Sequence, residues 1–275
     1  MKRVLRKKIN VLVLLPLIMM ILMGSINIQG IKVRVYPLLR ELQHELIIYK
    51  TKNYHTRETE HFIIRYEQKD DEIIDLVAKA AEEKYDDVTD MFQYGPENKI
   101  TVIVYDDPQQ LMENTNLKQS KPPMGVYYSS TIQILTPRLW VPEDQDMEFV
   151  FLNQGPMVHE FTHLLVDDLT GGNYPLWFTE GLALYQEYVQ TGYQWGKDLA
   201  YDGKPYSVKE LTNDFNGLDE MLAYKRSFEL VRGMVEREGF NSLMEVLKEL
   251  KKGKSFDEAH QGIFSRSVEE IYENE

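Results

Sequence analysis

The sequence predicts an α+β fold with a membrane segment ahead of it, and three features carry that expectation. Strand-like segments are confined to the first half of the chain, helical periodicity takes over from Pro156, and an apolar run opens the sequence. His61–Tyr66 (HFIIRY) and Lys99–Tyr105 (KITVIVY) are rich in β-branched residues and bounded by polar clusters, so they read as strands. Gly125–Tyr128 and Ile132–Leu135 flank a Ser-Ser-Thr turn and read as a hairpin. Glu72–Tyr94 repeats apolar residues at helical spacing through Ile74, Val77, Ala81, Val88 and Phe92.

In the second half, a helix is expected from Pro156 to about Leu169, ended by Thr170-Gly171-Gly172. A second should run from near Pro175 to about Gln190, with Gly192 as its stop. Leu218–Glu238 and Phe240–Lys252 supply two more, divided by Gly239, and Ser255–Tyr272 one or two short ones. Strands first and helices second give a small N-terminal mixed sheet with a packed helix, then a helical C-terminal lobe, with the cleft between them.

Composition narrows the function. The net charge is −13, yet Lys2, Arg3, Arg6, Lys7 and Lys8 hold five positive charges, so residues 9–275 carry −18. Nucleic-acid binding needs a cationic face to displace counterions, and this body lacks the charge for one. Cysteine is absent. Disulfides, thiolate nucleophiles and Cys-type zinc fingers are therefore excluded.

The basic cluster precedes Ile9–Met23 (INVLVLLPLIMMILM), and with Gly24–Ile28 the uncharged stretch is about 20 residues, enough to span a bilayer. Positive charge before it places the N-terminus inside and the body outside the cytoplasm, as a single-pass cell-membrane protein. Secretion after signal cleavage is the alternative, although no clear A-x-A site follows. The expected organisation is an anchor over 1–30, a stalk or linker over 31–58 and one folded domain over 59–275. Within the stalk, Leu38, Leu39, Leu42, Leu46 and Ile47 give Val35–Lys50 the spacing of a short amphipathic helix.

The chemistry concentrates in Val158–Leu165 (VHEFTHLL), which contains H-E-x-x-H. Two histidines four residues apart on a helix point the same way about one turn apart, so His159 and His163 can reach one Zn²⁺. Glu160 then flanks the metal rather than ligating it, the place for a general base. Catalytic zinc keeps three protein ligands, and Tyr174–Ala183 (YPLWFTEGLA) offers Glu180 on a second helix folded back by Gly171-Gly172. Asp167 and Asp168 compete as third ligand or as a partner of a zinc histidine, but are expected as surface acids at the helix end. Glu187 is expected on the surface.

HEFTHLL followed by PLWFTEGLA resembles the gluzincins, thermolysin-like zincins, and most nearly the peptidase MA-like group with its Trp-x-x-Glu-Gly-Leu-Ala segment. The likeness is most specific over residues 156–188 and weaker over roughly 58–272. It implies a zincin-like fold and a metallopeptidase acting on peptide or protein substrates, in which zinc-activated water assisted by Glu160 attacks a peptide carbonyl. It also implies His159, His163 and Glu180 as the metal ligands. Tyr224, in AYKRSF, matches a recurrent family tyrosine and is implied as donor to the developing oxyanion, with His260 and Tyr185 as fallback donors. His44, His55 and His61 are expected as surface or core residues.

Two departures matter, of which one is the spacing from His163 to Glu180, a little short against the thermolysin type though suited to a tight loop. Many gluzincins carry an acid four residues after the ligand glutamate, and here that position is Leu184. The rival reading is a non-catalytic zincin-like surface module, for which Glu160 has no use. Acidic pairs such as Asp106-Asp107 lack an EF-hand pattern.

Overall fold

The computed structural model describes residues 28–118 and 121–272. The expected membrane segment falls mainly on residues 1–27, outside the described residues. Among the described residues, no helix is long and apolar enough to cross a membrane.

Helix α1 (Ile28–Lys50) leads into strands β1 (His55–Glu58) and β2 (Phe62–Tyr66), then helix α2 (Asp71–Phe92) and strand β3 (Ile100–Tyr105). Helix α3 (Pro108–Thr115) precedes the hairpin β4 (Gly125–Tyr128) and β5 (Thr131–Leu135), and α4 (Met147–Gln154) follows. The helical lobe comprises α5 (Met157–Thr170), α6 (Leu176–Thr191), α7 (Val208–Asp214), α8 (Glu220–Glu238), α9 (Phe240–Lys251), α10 (Phe256–Phe264) and α11 (Val268–Tyr272).

The sheet order is β1-β2-β3-β5-β4. β2, β3 and β5 run parallel, and β1 and β4 lie antiparallel at the two edges. All six residues of β3 are buried, because this central strand is covered on both faces. One face carries Phe62, Ile64, Val102, Val104, Ile132 and Ile134 against α2 and α5. There Phe161 meets Phe62 edge-on at 6.0 Å and stacks on Tyr85 at 5.6 Å. The other face is a smaller cluster of Ile103, Tyr105 and Leu135 with Leu111 of α3 and Ile47 of α1.

Strands β2 to β5, α2 and the long helices of the second half form where the sequence pattern places them. The helix stops are also as expected: Gly171 ends α5 at φ +63° and Gly192 ends α6 at φ +72°, a left-handed conformation that costs glycine little. The short helices α3, α4 and α7 were not read from the pattern. Each is too short for an apolar period, although Asp107, Asp146 and Ser207 cap them recognisably.

Residues 31–58, expected as a stalk, are instead built into the body. Tyr36 and Arg40 of α1 bond the side chain of Asp167 on α5 at 2.8 and 2.6 Å, and β1 pairs with β2 along its length. Polar anchors and an edge strand have weak periodic signals, which is why the segment reads as a connector.

α6 packs closely on α8. A Cβ on Gly181 would collide with the Ser227 carbonyl and Val231, so this contact depends on the missing side chain. Gly181→Ala is expected to cost about 1–3 kcal/mol by overpacking. The check is a lower urea midpoint at unchanged m-value.

Candidate metal centre

The site is assembled by two antiparallel helices. α5 buries Phe161, Leu164 and Leu165, and α6 buries Trp177, Phe178 and Leu182. Each such side chain contributes roughly 1.5–3 kcal/mol of burial, and together they fix the rotation of both helices. His159, His163 and Glu180 then face one another. His159 Nε2 lies 3.2 Å and His163 Nε2 lies 3.5 Å from the same atom, Glu180 Oε2. A tetrahedral ion at about 2.0–2.1 Å from its ligands sets them roughly 3.3 Å apart, so the spacing fits a metal.

The opposite ring nitrogens are tied down. His159 Nδ1 is 3.2 Å from Glu187 Oε1, and His163 Nδ1 is 2.7 Å from Thr179 Oγ1. Such partners fix tautomer and ring orientation, leaving both Nε2 atoms for the ion. This answers the departure at Leu184, which is buried. The carboxylate comes from Glu187, seven residues after Glu180 and on the same face of α6. Glu187 was expected on the surface, and its place in the sequence held the signal, since i and i+7 share a helix face.

Glu160 points to the edge strand, where Tyr127 N–H donates to its Oε2 at 2.6 Å. Gly125 permits the approach of β4, because a Cβ there would lie 2.6 Å from Pro156 and 3.1 Å from Glu160 Cγ. Burial raises the Glu160 pKa, against the pull of His159 and His163. Burial also acts to raise that of Glu180, but His163 and His159 outweigh it and hold it well below the carboxylate range. For His159 burial disfavours charge, yet Glu187, Glu180 and Glu160 together drive its pKa well up. A field that favours an imidazolium favours a divalent cation for the same reason.

Tyr224 closes the other side. Burial, together with the charges of Glu180 and Glu160, raises the pKa of its phenol strongly. Phe215 and Trp195 flank its ring at 5.7 and 6.3 Å. The fallback donors lie elsewhere. His260 is buried with Nδ1 3.1 Å from the Arg266 carbonyl oxygen, and Tyr185 stacks on Phe240. His44 faces the Ser129 carbonyl, His55 leans on Tyr66, and His61 bonds Glu82.

Asp167 is neither a ligand nor a surface acid. It is fully buried, and its oxygens accept bonds from Tyr36, Tyr174, Arg40 and Tyr127 at 2.6–3.2 Å. Asp168 pairs with Arg40 at 2.6 Å. The helix turns both acids away from the histidine face, towards α1 and β4. Among the described residues, His159, His163 and Glu180 are the group of His, Cys, Asp and Glu whose ligand atoms, all within 4.8 Å of one another, suit a metal ion.

An HExxH helix with a glutamate ligand on the returning helix, below the edge of a mixed sheet, defines a metallopeptidase. The family model of the Peptidase MA superfamily matches residues 84–274, and the chain belongs to that superfamily. No curated protein matches it.

Glu187→Ala removes the carboxylate behind His159 and none of the ligands. Metal affinity is expected to fall about 10–100-fold, read by competition with a chelator.

Proposed function

We propose that this chain is a zinc peptidase anchored in the cell membrane with its catalytic domain outside the cytoplasm. The observation that carries the catalytic reading is the convergence of His159, His163 and Glu180 with Glu160 beside them. Two imidazoles and one carboxylate are the donor set of a catalytic zinc site, which keeps its fourth position for water or substrate. Zinc held there supplies Lewis acidity and lowers the pKa of water to about 7.

The chain's own residues divide the remaining work. Glu160, buried and with its pKa raised, is suited to take the proton of the attacking water and pass it to the leaving amine. The Tyr127 N–H holds that carboxylate in place. Tyr224, neutral throughout the working pH range, donates to the carbonyl oxygen of the substrate as it gains negative charge. Glu187 and Thr179 keep the imidazoles aligned. A non-catalytic module would have no reason to bury Glu160 beside the ligands. The anchoring rests on the basic cluster and on Ile9–Met23.

Glu160→Gln is expected to keep about one zinc per chain and to abolish hydrolysis of a peptide library. His159→Ala, His163→Ala and Glu180→Ala should each lose the metal, measured by elemental analysis of purified protein. Zinc lost from Glu160→Gln but kept by Glu180→Ala would reverse the roles assigned here.

Tyr224→Phe should retain fold, zinc and KM while kcat falls by about 10²–10³. Wild-type turnover in that variant removes Tyr224 from the mechanism. For topology, residues beyond about 31 should be digested by protease added to intact cells. Protection of the body under those conditions overturns the outward orientation.

A further inference from the structure

The spacing of apolar residues on α1 leaves a face that the body does not cover. Tyr36, Arg40 and Ile47 turn inward, onto Asp167 and the smaller core cluster. On the opposite side Val35, Leu39, Leu42, Leu46 and Tyr49 are exposed by 42, 53, 63, 61 and 66%, with Leu38 beside them at 67%. Their intervals are four, three, four and three residues, the heptad seam by which one helix packs on another. Elsewhere in the described residues, exposed large apolar side chains do not form such a run along one helix.

We infer that this seam pairs with the same seam of a second copy of the chain, as a parallel two-helix interface. Charge complementarity selects that occupant. With Leu39 and Leu46 at one seam position and Val35, Leu42 and Tyr49 at the other, Glu45 and Lys50 fall on the two flanks. In a parallel pair Glu45 of one copy faces Lys50 of the other, the flanking contact that sets partner and orientation. The position of α1 in the chain agrees. On the anchoring proposed above, on which this step rests, it begins five positions after the apolar run Ile9–Met23, so copies held in one bilayer by that run present their α1 helices in the same direction. The polar surround of the stripe mixes Glu41, Gln43 and Glu45 with Lys32, Arg34 and Lys50, two acids against three bases. A helix lying on lipid favours a predominantly cationic surround.

Size predicts how strong the pairing is. The seam is about 21 Å long at 1.5 Å per residue. One such helix pair falls below the roughly 1,200 Å² of a standard stable interface. Association is therefore weak in dilute solution and strong when both copies share a membrane, where effective concentrations reach the millimolar range.

The absence of cysteine in the chain makes the test direct. Val35→Cys, Tyr49→Cys and the off-seam control Glu41→Cys are made singly in the full-length chain, reconstituted in phosphatidylcholine vesicles and treated with a short bismaleimide. Val35→Cys and Tyr49→Cys should each give a covalent dimer at least about fivefold above Glu41→Cys. Mixed vesicles should give no 35–49 product beyond that control. Glu45→Lys in the Tyr49→Cys chain should reduce cross-linking, and adding Lys50→Glu should restore it. Zinc content and peptide hydrolysis should be unchanged in all variants, so this inference can fail while the catalytic reading stands. Cross-linking no higher than the control overturns the pairing and leaves lipid or another protein as the cover. A 35–49 product overturns the parallel arrangement, and indifference to the charge exchange overturns the Glu45–Lys50 contact.

Discussion

Glu160, Glu180, His159 and His163 sit within a helix pair whose other inward faces are aromatic and aliphatic. Moving one charged group from water into such a setting costs several kcal/mol even after relaxation. The arrangement is stable only if the charges answer one another. Glu180 is met by both imidazoles, His159 by Glu187, His163 by Thr179 and Glu160 by the Tyr127 N–H. β4 brings the Tyr127 N–H to Glu160, while Glu187 and Thr179 come from α6 itself.

Tyr127 links the site to the rest of the molecule because its two ends serve different carboxylates. Its N–H holds Glu160 and its hydroxyl donates to Asp167 at 2.7 Å. An ionised carboxylate offers about four acceptor sites, and Asp167 has four donors for them: Tyr36, Tyr174, Arg40 and Tyr127. Bonds to a charged acceptor contribute about 1.5–3 kcal/mol each, against the cost of burying the carboxylate. Asp167 thereby fastens α1 and the edge strand to the metal-binding helix. A segment readable as a stalk is in this way part of the frame that positions Glu160.

The same geometry explains how one turn of helix gives neighbouring acids different roles. Asp167 follows His163 by four residues, which suggests a shared face, but the pull of α1 and β4 turns its carboxylate away from the metal side. Glu187 is separated from Glu180 by seven residues and stays on the histidine side, since nothing else packed on α6 claims it. A polar position near a helix end made both read as surface acids, and only the packing of other elements separated their roles.

Several features follow from the sequence alone. The H-E-x-x-H spacing, Glu180 in an apolar segment, the Gly171 and Gly192 stops and strands β2 to β5 were legible, because each depends on contacts within a turn or two of chain. The order of strands, the buried site of Asp167, the Glu187 and Thr179 contacts and the packing of α1 on the body were decided by tertiary structure. They join residues tens of positions apart or choose between equivalent faces of a helix. The periodicity of α1 showed an apolar stripe; only the fold decided that Tyr36 and Arg40 turn inward and the leucines outward, because a buried carboxylate on α5 demands those donors.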